Sequence, residues 1–468
     1  MPQQRAFSSA ALLSALLCSA SAATGALNTQ QQRALDIYKE LVEINTVTET
    51  GDTGRAADAM AARLRAAGFA GQDVQVFKPA PRKGNLVARL RGTGARRPIL
   101  LLAHIDVVPA NPDDWSTDPF RFTEIDGYYY GRGTGDDKFM ASALIANLIR
   151  YKQEGFRPDR DIIVALETDE EILDRDGWGI SWLIKNQRPL IDAEFALNEG
   201  GGVGVKNGKI IRNSVQTSEK VSVTYRLEVK DRGGHSAVPR QDNAIYHLAD
   251  GLARVAKFNF PLNLNATTRA YFEDSAKLET PQMASDIRSV LSNRPDPASL
   301  NRLYANATYN AQLHTTCVAT MLQGGHAYNA LPQTASAMVN CRVMPGEPIE
   351  GIRATLIRTL GDERISVNEV AKPVLSMPTT MTSEVSAAIQ KTSEEIFPGV
   401  PIVPIMGAGA TDGSYLRNAG IPTYGHTGLA GDVDDVRSHG QDERVAKKAF
   451  FDGQEYLYRL VKRLAGSN

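Results

Sequence analysis

Five short stretches of this 468-residue chain carry side chains suited to metal chemistry: His104-x-Asp106, the run Gly131-Arg132-Gly133-Thr134-Gly135-Asp136-Asp137-Lys138, the pair Glu170-Glu171, Glu199, and His439 near the C-terminus. Imidazoles mixed with carboxylates are donors that suit zinc in a hydrolytic role. Hydrolysing an amide with a metal-activated water calls for two cations about 3.5–4 Å apart, a carboxylate shared between them and a separate base for the water. Each part alone has a plainer reading. A single histidine is more often a core or surface residue than a ligand, adjacent glutamates commonly lie on a solvated face, and Asp-Asp after glycines is often only a turn. Their placement in the chain outweighs those readings.

Residues 99–103 form a continuous apolar run that ends at His104, and residues 162–166 form a second that runs into Glu167-Thr168-Asp169-Glu170-Glu171. Residues 195–197 form a third, shorter run, followed by Asn198-Glu199, and a helical pattern over 138–151 separates the first two. Continuous rather than alternating apolar strands predict a sheet covered on both faces, as in α/β proteins. The candidate donors thus stand just past the carboxyl ends of buried strands, where open α/β sheets bind ligands.

The texture changes near Val215. Residues 221–229 alternate as a half-exposed strand, residues 243–257 read as a helix, and a polar stretch of roughly fifty residues (258–312) follows. Strands over 315–321 and 335–344, a helix over 349–360 and a strand over 365–370 complete a β-α-β-β-α-β order, the ferredoxin-like pattern. From about 373 the chain returns to α/β character. The expected organisation is a catalytic domain from 24–214 and 373–468, interrupted by an inserted α+β domain over 215–372.

His104-Ile105-Asp106-Val107-Val108-Pro109, the Gly131–Lys138 run and Asp169-Glu170-Glu171 resemble the signature of the M20 metallopeptidase family, and residues 104–138 are most similar to its carboxypeptidase S-like branch. The resemblance implies a zinc-peptidase-like catalytic domain, with a mixed sheet covered by helices, and a ferredoxin-like lid. It implies that Asp136 bridges two metals, with His104 and Glu199 completing one site and Glu171 and His439 the other. Glu170 would be the general base, and Asp106 the acid that orients His104. The peptide after Asp136 would be cis. His235, in Gly234-His235-Ser236, would stabilise the oxyanion, from a neighbouring subunit in dimeric members, which allows a homodimer. Asn329 and Arg342 would hold the substrate's carboxylate, and residues 407–413 would form a glycine-rich loop closing the pocket. The implied cofactors are two Zn2+ ions, with Co2+ or Mn2+ compatible with the same donors. Two features depart from the pattern: Phe139 stands where a glycine is usual, which would narrow or reshape the site, and His426 competes with His439 as ligand.

The implied activity is cleavage of an amide bond in a peptide or N-acyl amino acid bearing a free carboxylate. An aminopeptidase or dipeptidase of the same family is the nearer alternative, and a metal-containing binding protein without catalysis the remoter one. A serine hydrolase is disfavoured, because neither Ser236 nor Ser414 sits in Gly-x-Ser-x-Gly. A formal net charge of -1, with acids and bases interspersed, leaves no electrostatic footprint for nucleic acid. Arg5, the apolar residues 10–17 and Ala20-Ser21-Ala22 read as a secretory signal peptide over 1–23, too short to span a bilayer, and point to a secreted or periplasmic protein. Export permits a disulfide between Cys317 and Cys341, but the strict geometry of a bridge favours two buried free thiols.

Overall fold

Residues 26–172 and 175–466 are described by the computed structural model; the expected signal peptide lies outside the described residues. The three apolar runs become adjacent parallel strands of a ten-stranded mixed sheet: β1 (Ile99–His104) lies between β2 (Ile162–Glu167) and β3 (Phe195–Asn198). Successive side chains along β1 and β2 enter different cores. Ile99, Leu101, Ala103, Val164 and Leu166 face one, and Leu100, Leu102, Ile163 and Ala165 face the other. Helices cover both: α1 (Lys138–Gln153), Thr29–Glu43 and Lys447–Ala465 on the first, Ile180–Asn186 and Gly413–Asn418 on the second. That two-sided burial is why the strands show no polar alternation. Each fully buried leucine or isoleucine contributes about 1.5–3 kcal/mol.

Phe139, expected to reshape the site, points away from it. Its ring lies edge-on to Phe450, with centroids 5.9 Å apart, and a Cβ added at Gly453 would come within 2.7 Å of its Cζ. Gly453 thus makes room for a ring that belongs to the core.

β4 (Lys209–Glu219) is the last strand of the large sheet before the chain leaves it, and Ile402–Gly407 pairs alongside it in parallel. β5 (Val221–Lys230), α2 (Ala244–Val255), β6 (Thr316–Gly324), β7 (Thr334–Val343), α3 (Ile349–Leu360) and β8 (Ser366–Glu369) follow. Their strands form an antiparallel sheet in the order β6-β7-β5-β8. One face packs on α2 and α3 through Val223, Tyr225, Leu227, Val339, Leu248 and Leu356. The opposite face carries Ser222, Thr224, Asn340 and Arg342, as the period of two requires.

One reading of this region is corrected. Cys317 and Cys341 stand opposite each other in the β6–β7 register, with Cα atoms 4.0 Å apart, and form a disulfide rather than two free thiols. Directly opposed residues of an antiparallel pair approach this closely, and register is not legible from residue types alone. The polar stretch 258–312 is helical. It forms the helices Ala266–Ser275, Pro281–Leu291, Pro297–Tyr304 and Ala307–Leu313 around a small core of Phe272, Ile287, Val290, Leu303 and Leu313. Gln312 Nε2 donates to the Met406 carbonyl at 3.0 Å, and Thr217 and Thr267 hydroxyls meet at 3.1 Å, so this group packs on the large sheet. Among the described residues no helix is long and apolar enough to cross a membrane.

Candidate active site

The parallel strands β1, β2 and β3 all end at one edge of the large sheet, and the candidate donors gather there. His104 is the last residue of β1 and Glu199 follows β3, while the Glu170–Ile172 turn follows β2. Asp136 comes from the glycine-rich loop before α1, and His439 from the loop after Ala430–Asp432. His104 Nε2 lies 3.0 Å from Asp136 Oδ1 and 4.0 Å from Glu199 Oε2. His439 Nε2 lies 3.3 Å from Asp136 Oδ2 and 2.9 Å from Glu171 Oε2. The two oxygens of Asp136 therefore face two different donor sets, each with its ligand atoms within 4.8 Å of one another. One imidazole and two carboxylates per set is a donor mixture that fits a divalent cation.

Asp106 organises more than His104. His104 Nδ1 donates to the Asp106 carbonyl at 3.0 Å, which leaves Nε2 aimed at Asp136. The Asp106 carboxylate also accepts from the backbone N–H groups of Glu170 and Glu171, each at 3.2 Å, and from Thr48 Oγ1 at 3.1 Å. One buried residue thus orients a histidine through its backbone carbonyl and the turn bearing both glutamates through its carboxylate.

The electrostatics are those of acids crowded in low dielectric. Burial, then the charges of Glu199, Asp412 and Glu171, push Glu170 well above the ordinary carboxylate range. Glu199 is pushed up to about 8, chiefly by burial, with Asp136, Glu171 and Asp412 adding to it. Burial would also raise Asp136, but hydrogen bonds from His104 and His439 outweigh it and hold that carboxyl low. Such a cluster is relieved by cations. The peptide Asp136–Asp137 is cis.

The remaining site candidates lie on the second sheet and its flanking hairpin. His235 pairs with Ala330 in a two-stranded ribbon, and Ser236 N–H donates to the Asn329 carbonyl at 2.9 Å, so His235 and Asn329 are neighbours. Both are exposed, and among the described residues neither bonds to the five-residue cluster. Arg342 is half-buried on the face opposite the helices, and among the described residues no carboxylate pairs with it. A cavity of about 460 Å3 separates that face, at Ser222 and Thr224, from Ile172 of the glutamate turn, with Ala410 of the 407–413 loop and Ser414 of the helix after it at its side. His426, the alternative to His439, is buried and occupied. Its Nδ1 donates to the Ser214 carbonyl at 2.9 Å, and its Nε2 meets Tyr456 Oη at 2.8 Å.

Two residues escaped the sequence reading. Glu443 and Arg132 form a buried ion pair at 2.8 Å behind Asp136. The available signal was an acid four residues beyond His439 together with an arginine inside the glycine run.

The chain is similar to known hydrolases in sequence and to a known metallo-carboxypeptidase in fold. The chain is 32% identical over 377 residues to N-fatty-acyl-amino acid synthase/hydrolase PM20D1 of Xenopus tropicalis, covering 78% of this chain and 72% of that protein. It is 29% identical over 376 residues to the probable carboxypeptidase S-like 2 of Dictyostelium discoideum, with 78% and 71% covered. Its fold matches that of an M20 family metallo-carboxypeptidase from Sulfolobus solfataricus, with a TM-score of 0.68 at 17% identity over 94% of this chain and 99% of that one. The family model for peptidase family M20/M25/M40 matches residues 100–463, which span every donor of the cluster. The chain belongs to peptidase family M20/M25/M40 and is one of its metal-dependent hydrolases.

Proposed function

We propose that this hydrolase uses two zinc ions to cleave the amide bond of N-acyl amino acids or peptides that carry a free carboxylate. The observation that supports it best is Asp136, whose two oxygens each face a separate imidazole–carboxylate set. His104 and Glu199 would hold one ion, Glu171 and His439 the other, and Asp136 both. Bound there, the ions would polarise the scissile carbonyl and make a water nucleophilic at neutral pH. Glu170 takes the proton from that water and delivers it to the nitrogen of the departing amine, a task its raised proton affinity suits. Asp106 keeps His104 in the tautomer that leaves Nε2 free and fixes the backbone beneath Glu170. Arg342, a half-buried cation on the cleft-facing side of the second sheet, clamps the substrate carboxylate, assisted by Asn329.

His235 supplies the oxyanion donor from a second copy of the chain. Its exposure supports this assignment, as does the edge strand β6, whose exposed Val318, Met321 and Leu322 offer a surface for pairing. On this reading residues 215–372 act as the lid. Export to an oxidising compartment is supported by the signal-like N-terminus and suits the Cys317–Cys341 disulfide.

The substrate class is tested by hydrolysis of an N-acyl amino acid against its methyl ester, and by Arg342→Ala. The proposal expects the ester to be inert and Arg342→Ala to raise KM at least tenfold with kcat little changed. Equal hydrolysis of the ester, combined with a need for a free amine, would instead establish an aminopeptidase.

A further inference from the structure

The loop that carries His439 runs into the strand Arg444–Ala446, which pairs with Tyr128–Tyr130 just ahead of the glycine run, so the segments holding His439 and Asp136, some three hundred residues apart in the chain, leave one ribbon side by side; His439 itself is more than half exposed. Beyond that ribbon, the two loops are joined by Glu443. Its Oε1 accepts from the backbone N–H groups of Gly135 at 2.7 Å and Asp136 at 3.1 Å, and its Oε2 from Gly133 N–H at 3.0 Å and Arg132 Nη1 at 2.8 Å. Its own carbonyl accepts from Gly131 N–H at 3.1 Å. The glycine run supplies the concavity: Gly133 has φ +83°, and a Cβ there would lie 2.6 Å from Val107. Converging backbone N–H groups of this kind form a nest for an anion. Arg132 closes the connection from the other side, with Nη2 donating to the Gly440 carbonyl at 3.0 Å and its guanidinium 5.0 Å from the Trp115 ring.

We infer that Glu443, braced by Arg132, is a positioning residue that sets His439 against Asp136, so that the two cation sites form as one unit. The inference rests on the two-ion reading above. A carboxylate is required because all four groups it meets are donors; an amide of the same shape would turn an NH2 group toward N–H groups and leave the Arg132 guanidinium buried without a counter-charge. Residues that support ligands in this way typically change metal affinity 10–100-fold when replaced.

The test is zinc titration of the metal-free full chain by calorimetry, with the visible spectrum of the Co2+-loaded protein as a second readout, for native protein, Glu443→Gln and Arg132→Lys. Native protein is expected to take two equivalents, Glu443→Gln to lose 10–100-fold in affinity with a changed Co2+ spectrum, and Arg132→Lys to show a smaller loss of the same kind. Two equivalents at native affinity with an unchanged spectrum in Glu443→Gln would overturn the inference, even if that variant melts at a lower temperature. If Glu443→Gln does not fold, native-like binding and spectrum in Arg132→Lys overturn it equally. Fewer than two equivalents in native protein is a different outcome, and it overturns the two-ion reading itself.

Discussion

At the scale of single residues, position relative to one carboxylate separates the roles of similar side chains. Glu170 and Glu171 are adjacent, yet only Glu171 reaches His439, while Glu170 lies buried beside Glu199 and Asp412 without joining either donor set. Glu170→Gln should therefore keep its full metal content, measured by atomic absorption, and lose about 10²–10⁴-fold in kcat; loss of metal would reassign it as a ligand. His426 shows the opposite case, an imidazole spent on structure. Burial lowers its pKa to about 4, so the folded protein binds its proton less readily than the unfolded chain, where the value is 6.5. Stability is then lost as pH falls from about 6.5 toward 4, by roughly 3 kcal/mol in all. The Tm of His426→Gln should decline less steeply than that of native protein across this window; parallel curves would contradict the assignment.

At the scale of elements, what was legible depended on burial pattern. The runs ending at His104, Glu167 and Asn198 could be read because two-sided burial leaves no polar interruption, and β5 because one-sided burial alternates. Residues 258–312 could not, because each helix there is only seven to eleven residues long and contributes one or two side chains to a shared small core. Their start signals were present nonetheless: Asn265, Thr280, Asp296 and Asn306 all cap helix N-termini. The Cys317–Cys341 bond escaped for want of register. Closing a loop with a sequence separation of 24, it should stabilise the folded chain by about 3 kcal/mol. Denaturant midpoints with and without reductant would measure this, and recovery of both cysteines as free thiols from unreduced protein would rule the bond out.

At the scale of the whole molecule, His104, Glu170, Glu171 and Glu199 were readable because they end or follow buried strands, and Asp106 from the resemblance, whereas Arg132 and Glu443 were not, because they act through backbone groups that residue types do not reveal. Parallel strands bring His104, Glu199 and the glutamate turn to one edge, two loops add Asp136 and His439, and a cavity lies between the second sheet and Ile172 of that turn. The proposed hydrolysis depends on Asp136 serving both donor sets at once. The most direct measurement is the zinc-to-protein ratio, after dialysis against metal-free buffer, of native chain and of Asp136→Asn. Two ions per native chain are expected, with a loss from both sites in the variant. One ion in the native chain, or two retained in Asp136→Asn, would show that this carboxylate does not serve both sets.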